Sequence, residues 1–252
     1  MFTPLVRSAT ALLLFLLTAS AAAEVQLQLY TEEYPPVTFA RAGKAAGLGT
    51  EVVEEIMRRL GTAAPIEVVP WARGYKQVTS LPNIGLFATT RTAEREKLFH
   101  WVGPISATTA HFYTRRGGPY FDNLEQARGA ERIVIPRDWY LEQMLRGMGF
   151  GNINAVNTPA LAVRMLAAGR APLMALDDVT LADTLVAAGV NANDIETGLV
   201  ITQAVQYIAF SRDTPDDVAV RWQRTLDEMK ADGSFERIYA KWLPGVKPPG
   251  LR

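Results

Sequence analysis

Three groups of polar side chains stand just after predicted strands, where they could bind a small charged molecule. Arg95 lies three residues after Thr92, which favours the start of a helical turn, in the segment that follows a strand ending at Ala88. A guanidinium, a hydroxyl and the free N–H groups of a helix N-terminus together favour an anion. Asp177 ends another strand and could receive an ammonium group. Tyr34, in a stiff Tyr-Pro-Pro loop, could stack on a ligand.

Each of these residues also has an ordinary structural explanation. Tyr34 could pack on the protein surface, and Arg95 could pair with one of its neighbouring glutamates or another surface acid. Asp177 could cap the helix that follows it, although Asp178 competes for that position. The residues themselves leave these alternatives open.

Aromatic side chains follow two further predicted strands and could line the same cleft. Trp71 stands directly after Pro70, which closes a strand, and Trp139-Tyr140 opens a helix beside Asp138. Packing in the core competes with a cleft position more strongly for Trp71 than for Trp139, which lies off the apolar stripe of its helix.

The composition excludes most catalytic and cofactor motifs. The chain has no cysteine and only two histidines, which lie too far apart for a metal-binding motif, so no metal site of these residues is expected. It has no nucleophile elbow and no phosphate-binding loop. Gly147, Gly149 and Gly151 follow a predicted helix, which favours a helix end over a dinucleotide site. No cofactor is expected.

With 26 basic and 26 acidic residues, the chain also lacks the basic surplus that nucleic-acid binding requires.

Alternating strands and helices would position the candidate residues. In the first half of the chain, strands are predicted near residues 25–29, 66–69, 84–88 and 110–114. A helix capped by Thr50 would run to Leu60, another would follow Trp71, and Thr92 would cap a helical turn through Lys97. This order of strand, helix and strand indicates a parallel sheet.

The second half of the chain repeats this pattern. Strands are predicted near residues 133–135, 173–176 and 204–210, with helices capped by Asp138 and by Thr158, a helix over 179–188 and two helices at the end. Glycine and proline near 115–119 separate the two halves, and each half is expected to have its own sheet.

The first 23 residues predict a cleavable signal peptide. Arg7 supplies the positive start, residues 9–19 are almost all apolar, and Ala21-Ala22-Ala23 fits a cleavage site. The apolar run is shorter than the roughly 20 residues that span a bilayer. The protein is therefore expected in the periplasm, cut near Ala23, and without a lipid anchor because no cysteine follows the cut.

A set of motifs in fixed order extends over nearly all of the expected mature chain. Tyr34-Pro35-Pro36, Gly47-Leu48, Pro70-Trp71 and Thr92-Ala93-Glu94-Arg95 come first, and residues 232–242 read Asp-Gly-Ser-Phe-Glu-Arg-Ile-Tyr-Ala-Lys-Trp. The set resembles the periplasmic solute-binding proteins of family 3, the polar amino-acid-binding components of ABC importers. The chain is similar to a divergent branch of them.

The resemblance implies an α/β fold of two lobes, the type II or clamshell fold of periplasmic binding proteins, with two hinge crossings. Lobe 1 would comprise residues 24–112 and 206–252, and lobe 2 residues 113–205, after a signal peptide of residues 1–23. The crossings would be the strands near 110–114 and 204–210. The final helices would then pack with the first block.

The resemblance also implies roles for individual residues. Arg95 and Thr90 would hold a ligand carboxylate, Ala88 would offer a backbone contact, Asp177 would receive an ammonium group, and Tyr34 would cover the ligand side chain. The family's Gly-Thr-Thr turn is replaced by Asp138-Trp139-Tyr140. The expected ligand-binding residues are Tyr34, Trp71, Ala88, Thr90, Arg95, Trp139, Tyr140 and Asp177.

The implied function is binding rather than catalysis. A monomeric periplasmic protein would capture a small polar, amino-acid-like solute by closing its lobes and deliver it to the permease of an ABC transporter. Two alternatives stay open: a sensory or orphan receptor, and a dehydratase-like enzyme on the same fold, for which Glu32, Glu33 and Asp177 would be the acid or base groups.

Overall fold

The computed structural model describes residues 25–251, which form ten strands and eight α-helices. The predicted signal peptide lies outside these residues. The strands are β1 (Gln28–Thr31), β2 (Phe39–Arg41), β3 (Lys44–Ala46), β4 (Ile66–Val68), β5 (Ile84–Thr90), β6 (Phe99–Arg115), β7 (Ile133–Pro136), β8 (Ile153–Val156), β9 (Leu173–Asp177) and β10 (Ile195–Ser211). The helices are α1 (Leu48–Leu60), α2 (Trp71–Ser80), α3 (Leu124–Arg128), α4 (Tyr140–Gly147), α5 (Pro159–Ala167), α6 (Asp178–Ala188), α7 (Asp216–Ala231) and α8 (Ser234–Trp242).

Eight of the strands form one sheet in the order β4-β1-β5-β10-β6-β9-β7-β8. The expectation of a separate sheet in each half is therefore wrong. The reason is the length of β6 and β10, which pair antiparallel from Phe99–Ser211 at one end to Arg115–Ile195 at the other and so belong to both halves. β1, β4 and β5 are parallel on one side, and β7, β8 and β9 are parallel on the other.

The core of the first half combines helices from both ends of the chain. The buried stripe of α1, which includes Val52 and Ile56, packs with Trp222 of α7 and with Phe235 and Tyr239 of α8. The final helices thus pack with the first block. The resulting lobe boundaries at 112/113 and 205/206 stay a prediction.

Three of the predicted helix caps are wrong. α1 begins at Leu48 after Gly47, so Thr50 lies inside the helix, where its hydroxyl bonds to the carbonyl of Ala46. Thr92 precedes a turn, and Arg95 occupies the position before a short 3₁₀ helix over Glu96–Leu98. Arg95 therefore lies just before the helix, and not inside a helical turn begun by Thr92 as the sequence suggested.

The third wrong cap is Asp138, and the predicted cap of α5 is confirmed. Trp139 occupies the N-cap position of α4, while Asp138 adopts a left-handed backbone with φ of 63°. The hydroxyl of Thr158 accepts a hydrogen bond from the N–H of Leu161, with Pro159 in the first turn, as the sequence predicts. β8 was not predicted, because its four residues carry no clear alternation.

None of the helices described within residues 25–251 is both long enough and apolar enough to cross a membrane.

Gly85 of β5 allows the sheet to pack closely against the core of the first half. A Cβ atom at this position would lie 2.6 Å from Leu29 Cδ2 and 3.0 Å from Phe210 Cε1. Gly85→Ala is therefore expected to lower the free energy of unfolding by about 1–3 kcal/mol, the usual cost of overpacking. Urea unfolding followed by circular dichroism measures it.

Gly147→Ala is the matched control for this substitution. It adds the same methyl group at the end of α4, where nothing lies within 4 Å of the new atom and φ is negative. Its free energy of unfolding should equal or exceed that of the unmodified protein, because alanine restricts the unfolded chain. An equal decrease in the free energy of unfolding of both variants would contradict the close packing at Gly85.

Candidate functional site

The eight residues predicted to bind a ligand surround one small cavity between the two halves of the sheet. Its volume is about 20 Å³, enough for roughly one water molecule. The complete lining is Glu32, Tyr34, Trp71, Ala88, Thr90, Arg95, Trp139, Tyr140, Asp177 and Gln206. We call this space the inner cavity. The structure thus brings all eight predicted residues together, with Glu32 and Gln206 in addition.

The carboxyl ends of strands from both halves deliver these side chains. Tyr34 follows β1, and Arg95 follows β5. From the other half, Asp177 ends β9, and Trp139 and Tyr140 begin α4 directly after β7. Open α/β sheets bind ligands at this end of their strands, which is why the same rule found residues far apart in the chain.

The backbone of β5 bends where it reaches the inner cavity. Ala88 has a φ of 59°, and the neighbouring strand skips it, because Ile208 pairs with Phe87 and Tyr207 pairs with Thr89. A left-handed conformation in a residue with a side chain costs free energy, and such positions are frequent in binding sites. The bulge is consistent with the backbone role that the family resemblance implies for Ala88.

Asp177 is fully buried and is hydrogen-bonded from both halves of the protein. Its two carboxylate oxygens accept bonds from Tyr34 Oη at 2.7 Å and from Tyr140 Oη at 2.6 Å. Asp177 occupies the N-cap position of α6, but its side chain makes no capping bond to that helix. Burial raises the pKa of Asp177 to about 6, although the two phenols act to lower it.

Tyr34 joins the two halves through both ends of its side chain. It is 3% exposed, which excludes the alternative of surface packing. Its hydroxyl donates to Asp177, and its ring meets the edge of Trp139 with centroids 5.3 Å apart. The halves are therefore closed on each other at this point.

Arg95 is a buried cation that pairs with none of its neighbouring glutamates. Glu96 pairs with Arg91 instead, at 2.5 Å. The guanidinium of Arg95 lies over Trp71 and donates to Gln143 Oε1 at 2.9 Å and to the carbonyl of Thr90 at 3.3 Å. Burial lowers its pKa. A buried guanidinium bonded only to neutral acceptors is suited to receive an anion.

Glu32 is a partly buried acid in the same cleft. Its carboxyl group lies beside the indole of Trp139, and burial raises its pKa from 4.5 to about 8, against the lowering influence of that indole and of Arg95. Sequence reasoning considered Glu32 only as an acid or base of an enzyme. The rule that singled out Tyr34 would also have found it, since both follow β1.

Two glutamines complete the site and could not be found from the sequence. Gln143 lies in α4 and reaches Arg95 across the cleft. Gln206 lies on β10, where its amide oxygen accepts a short hydrogen bond from the hydroxyl of Ser106 on the paired strand β6. Neither glutamine belongs to a sequence motif. Each joins the site only because the fold brings its helix or strand next to other elements of the cleft.

A larger cavity opens beside the inner one, farther from the β6–β10 pair. It has a volume of about 580 Å³, which lies within the usual range of ligand pockets, roughly 300–1,000 Å³. We call it the outer cavity. Glu32, Trp71 and Trp139 line both cavities. The other residues around it are Glu33, Val68, Val69, Pro70, Ala72, Pro136, Arg137, Asp138, Asn157, Thr158 and Pro159.

Within residues 25–251, no three histidine, cysteine, aspartate or glutamate side chains lie close enough together to hold a metal ion.

Glu32→Gln is expected to change how stability depends on pH. Folded Glu32 keeps its proton up to about pH 8, whereas the unfolded residue loses it near its ordinary pKa of 4.5. The free energy of unfolding of the unmodified protein therefore falls as the pH rises through this window. Arg95, Trp139 and Asp177 face the carboxyl group and are unchanged in the variant.

The glutamine variant lacks this loss and should be more stable above pH 8, by up to about 5 kcal/mol, since the two pKa values of Glu32 differ by about 3.5 units and each unit corresponds to about 1.4 kcal/mol. Urea unfolding at intervals from pH 5 to pH 9 measures the difference. Glu67→Gln removes an exposed carboxylate of β4 and should follow the unmodified protein. If the free energy of unfolding changed with pH in the same way for all three proteins, the raised pKa of Glu32 would be refuted.

Comparison with known proteins places this site in a family. The model of the bacterial extracellular solute-binding proteins, family 3, matches residues 28–245. A comparison with curated protein sequences found no match.

Solved structures with the same fold include a sensor domain and amino-acid-binding proteins. A histidine kinase sensor domain with similarity to periplasmic binding proteins has a TM-score of 0.79 and 23% identity, over 88% of this chain and 98% of that one. An ancestral arginine-binding protein bound to arginine has a TM-score of 0.75 and 19% identity, over 87% and 98%. ArtJ of Geobacillus stearothermophilus, which binds arginine, lysine and histidine, has a TM-score of 0.75 and 16% identity, over 90% and 97%.

These structures share the type II fold of periplasmic binding proteins, and the fold implied by the sequence motifs is thereby confirmed. The family match extends from β1 to beyond α8 and so includes every strand that lines the two cavities. The chain belongs to family 3 of the bacterial extracellular solute-binding proteins.

Proposed function

We propose that this protein captures a small polar, amino-acid-like solute in the periplasm and delivers it to an ABC importer. The observation that carries the proposal is the convergence of a buried guanidinium and a buried carboxylate, from opposite halves, on one cavity. Similar structures that bind arginine, lysine and histidine support an amino-acid-like ligand. Binding without turnover is part of the proposal: nuclear magnetic resonance spectra of a solute incubated with the protein should stay unchanged.

The proposed mechanism is closure of the two lobes around the solute. Opening would break the bonds from Tyr34 to Asp177 and from Arg95 to Gln143, which cross the cleft. Arg95 and Thr90 would then hold an anionic group of the ligand, and the freed oxygen of Asp177 would receive a cationic one. A ligand that bonds to both halves favours the closed state.

The proposed route to this location is export with cleavage near Ala23. Mass spectrometry of the protein recovered from periplasmic extract would give the mature N-terminus directly.

A sensory receptor is the second candidate, because a kinase sensor domain has the same fold. In that role the closed form would signal to a membrane partner instead of releasing its solute. Uptake of a labelled solute, lost on deletion of the gene and restored by the mature protein, would favour transport. A change in transcription without a change in uptake would favour sensing.

Arg95→Ala is expected to weaken binding of an anionic solute. The loss should be about 2–5 kcal/mol, the usual cost when one partner of a buried charge pair is removed. A thermal-shift screen of amino acids, peptides, polyamines and organic acids identifies the solute first, because a ligand stabilises the folded state. Isothermal titration calorimetry then measures the affinity of both proteins for it.

Arg91→Ala serves as the control for this measurement. Arg91 follows the same strand and also lies over aromatic rings, at 5.6 Å from Trp101 and 5.2 Å from Tyr207, but it does not line the inner cavity. Its affinity should match that of the unmodified protein. If the Arg95→Ala variant bound the solute with unchanged affinity, the role of Arg95 in holding its anionic group would be refuted.

Tyr34→Phe is expected to shift the ligand-free protein towards an open form. It removes a buried hydrogen bond to a carboxylate that crosses the cleft, and such bonds contribute about 1.5–3 kcal/mol. A population shift of roughly tenfold or more follows. Small-angle X-ray scattering should report a larger radius of gyration.

Tyr140→Phe removes a bond to the same carboxylate from within one half. It should leave the radius of gyration unchanged. An identical response of the two phenylalanine variants would mean that the bond from Tyr34 does not hold the halves together.

A further inference from the structure

The outer cavity has features of a ligand subsite that differ from those of the inner one. It lies between the edge strands of the two halves, at the carboxyl ends of β4 and β8, with β1 and β7 beside them. An occupant would therefore touch both halves. Its volume of about 580 Å³ compares with about 20 Å³ for the inner cavity, so this is where a solute of more than a few atoms finds room in the closed form.

The polar groups of the inner cavity are already bonded to one another. Asp177 has a phenol on each carboxylate oxygen, and Arg95 is held by Gln143 and by the carbonyl of Thr90. A solute that enters there must first replace these bonds. Glu32 is the acidic side chain that the two cavities share.

Glu32 has no cationic partner among residues 25–251. None of the salt bridges formed there includes it. Arg95 acts on it only through space and points its guanidinium towards Trp71 and Gln143. Glu32 instead lines the outer cavity together with the indoles of Trp71 and Trp139. Indole rings beside a carboxylate are a recurrent setting for organic cations.

The remaining charges around the outer cavity are already satisfied or exposed. Glu33 accepts the backbone N–H of Ala40, and Asp138 is exposed at the rim. Arg137 donates to Asn157 and to the carbonyl of Ala155, so its guanidinium is engaged within its own half. Glu32 is therefore left as the half-buried acid in the walls that has no cationic partner. It keeps its proton near neutral pH in the empty cleft, and a cation bound beside it would favour its ionised form.

Helix N-termini at the cavity would favour an anion, and one of the three is capped by a side chain. Thr158 caps α5, whereas α4 begins without a side-chain cap and carries the acidic Glu142 in its first turn. α2 begins without a side-chain cap, and it offers an anion its best competing position. An anionic probe is accordingly part of the test.

We propose that the outer cavity is a subsite for an organic cation, an amine or quaternary ammonium on an apolar body, with Glu32 as its acceptor between Trp71 and Trp139. This inference rests on the proposed solute-binding function and extends it. The bound solute carries a cationic group besides the part that reaches Arg95. The two indoles cover its apolar body, and its contacts to both halves hold the cleft closed.

Matched pairs of small probes test the charge requirement. 2-Phenylethylamine is compared with 2-phenylethanol, and choline with 3,3-dimethylbutan-1-ol, which has the same shape without the charge; 3-phenylpropionate is the anionic probe. Titration calorimetry and tryptophan fluorescence report binding at neutral pH. At least one cation should bind ten times or more tightly than its neutral partner and than the anion.

Variants then identify the acceptor. Glu32→Gln should lower the affinity for the cation at least tenfold, and Glu67→Gln, which removes a carboxylate of the same half outside both cavities, should leave it unchanged. Circular dichroism verifies that both variants fold. Failure of every cation to bind, equal binding of cation and neutral partner, preference for the anion, or equal effects of the two variants would each overturn the inference.

The amine, choline and alcohol probes carry no carboxylate, so they test the outer cavity without needing Arg95. An amino acid that binds through Arg95 while no cation binds would refute the inference and leave the proposed function standing. A protein that is stabilised by no small solute of any charge would refute the proposed function itself.

Discussion

The antiparallel pair of β6 and β10 is the constraint on which the rest of the structure depends. Each strand has 17 residues, and together they run through the middle of the sheet and connect both halves. Everything in the first half is therefore fixed relative to the second by one ladder of backbone hydrogen bonds. The pair also requires the carboxyl ends of the parallel strands in the two halves to face one cleft.

The cleft that results contains charges that burial makes costly. Asp177 is stabilised by two phenols, one of which belongs to the opposite half. Arg95 lies over an indole and bonds to neutral oxygens, and Glu32 keeps its proton to an unusually high pH. The hydrogen bonds that the protein gives these three groups offset only part of the free-energy cost of burying their charged forms. In the proposed function, a solute with charges of its own would complete them, and this gain would favour the closed state.

The residues that line the inner cavity were more predictable than the elements that support them. The rule that ligands bind at the carboxyl ends of strands in open sheets found six of them, from Tyr34 to Asp177, and the family resemblance added Ala88 and Thr90. The caps at Thr50, Thr92 and Asp138 were wrong, because several residues near a helix start can satisfy the same N–H groups and the tertiary structure selects among them. The short β8 was not predicted, since its pairing with β7 rather than its own residues defines it.

The sequence by itself determined the alternation of strands and helices, the family motifs and the positions that follow the strands, because all of these depend on local spacing and residue type. Tertiary structure alone decided how the charged residues are paired. It bonded Asp177 to a tyrosine 143 positions away, released Arg95 from the neighbouring glutamates, and left Glu32 between two cavities. The reason is physical: burial and the pairing of charges depend on neighbours across the cleft, and those neighbours are set by sheet order rather than by spacing along the chain.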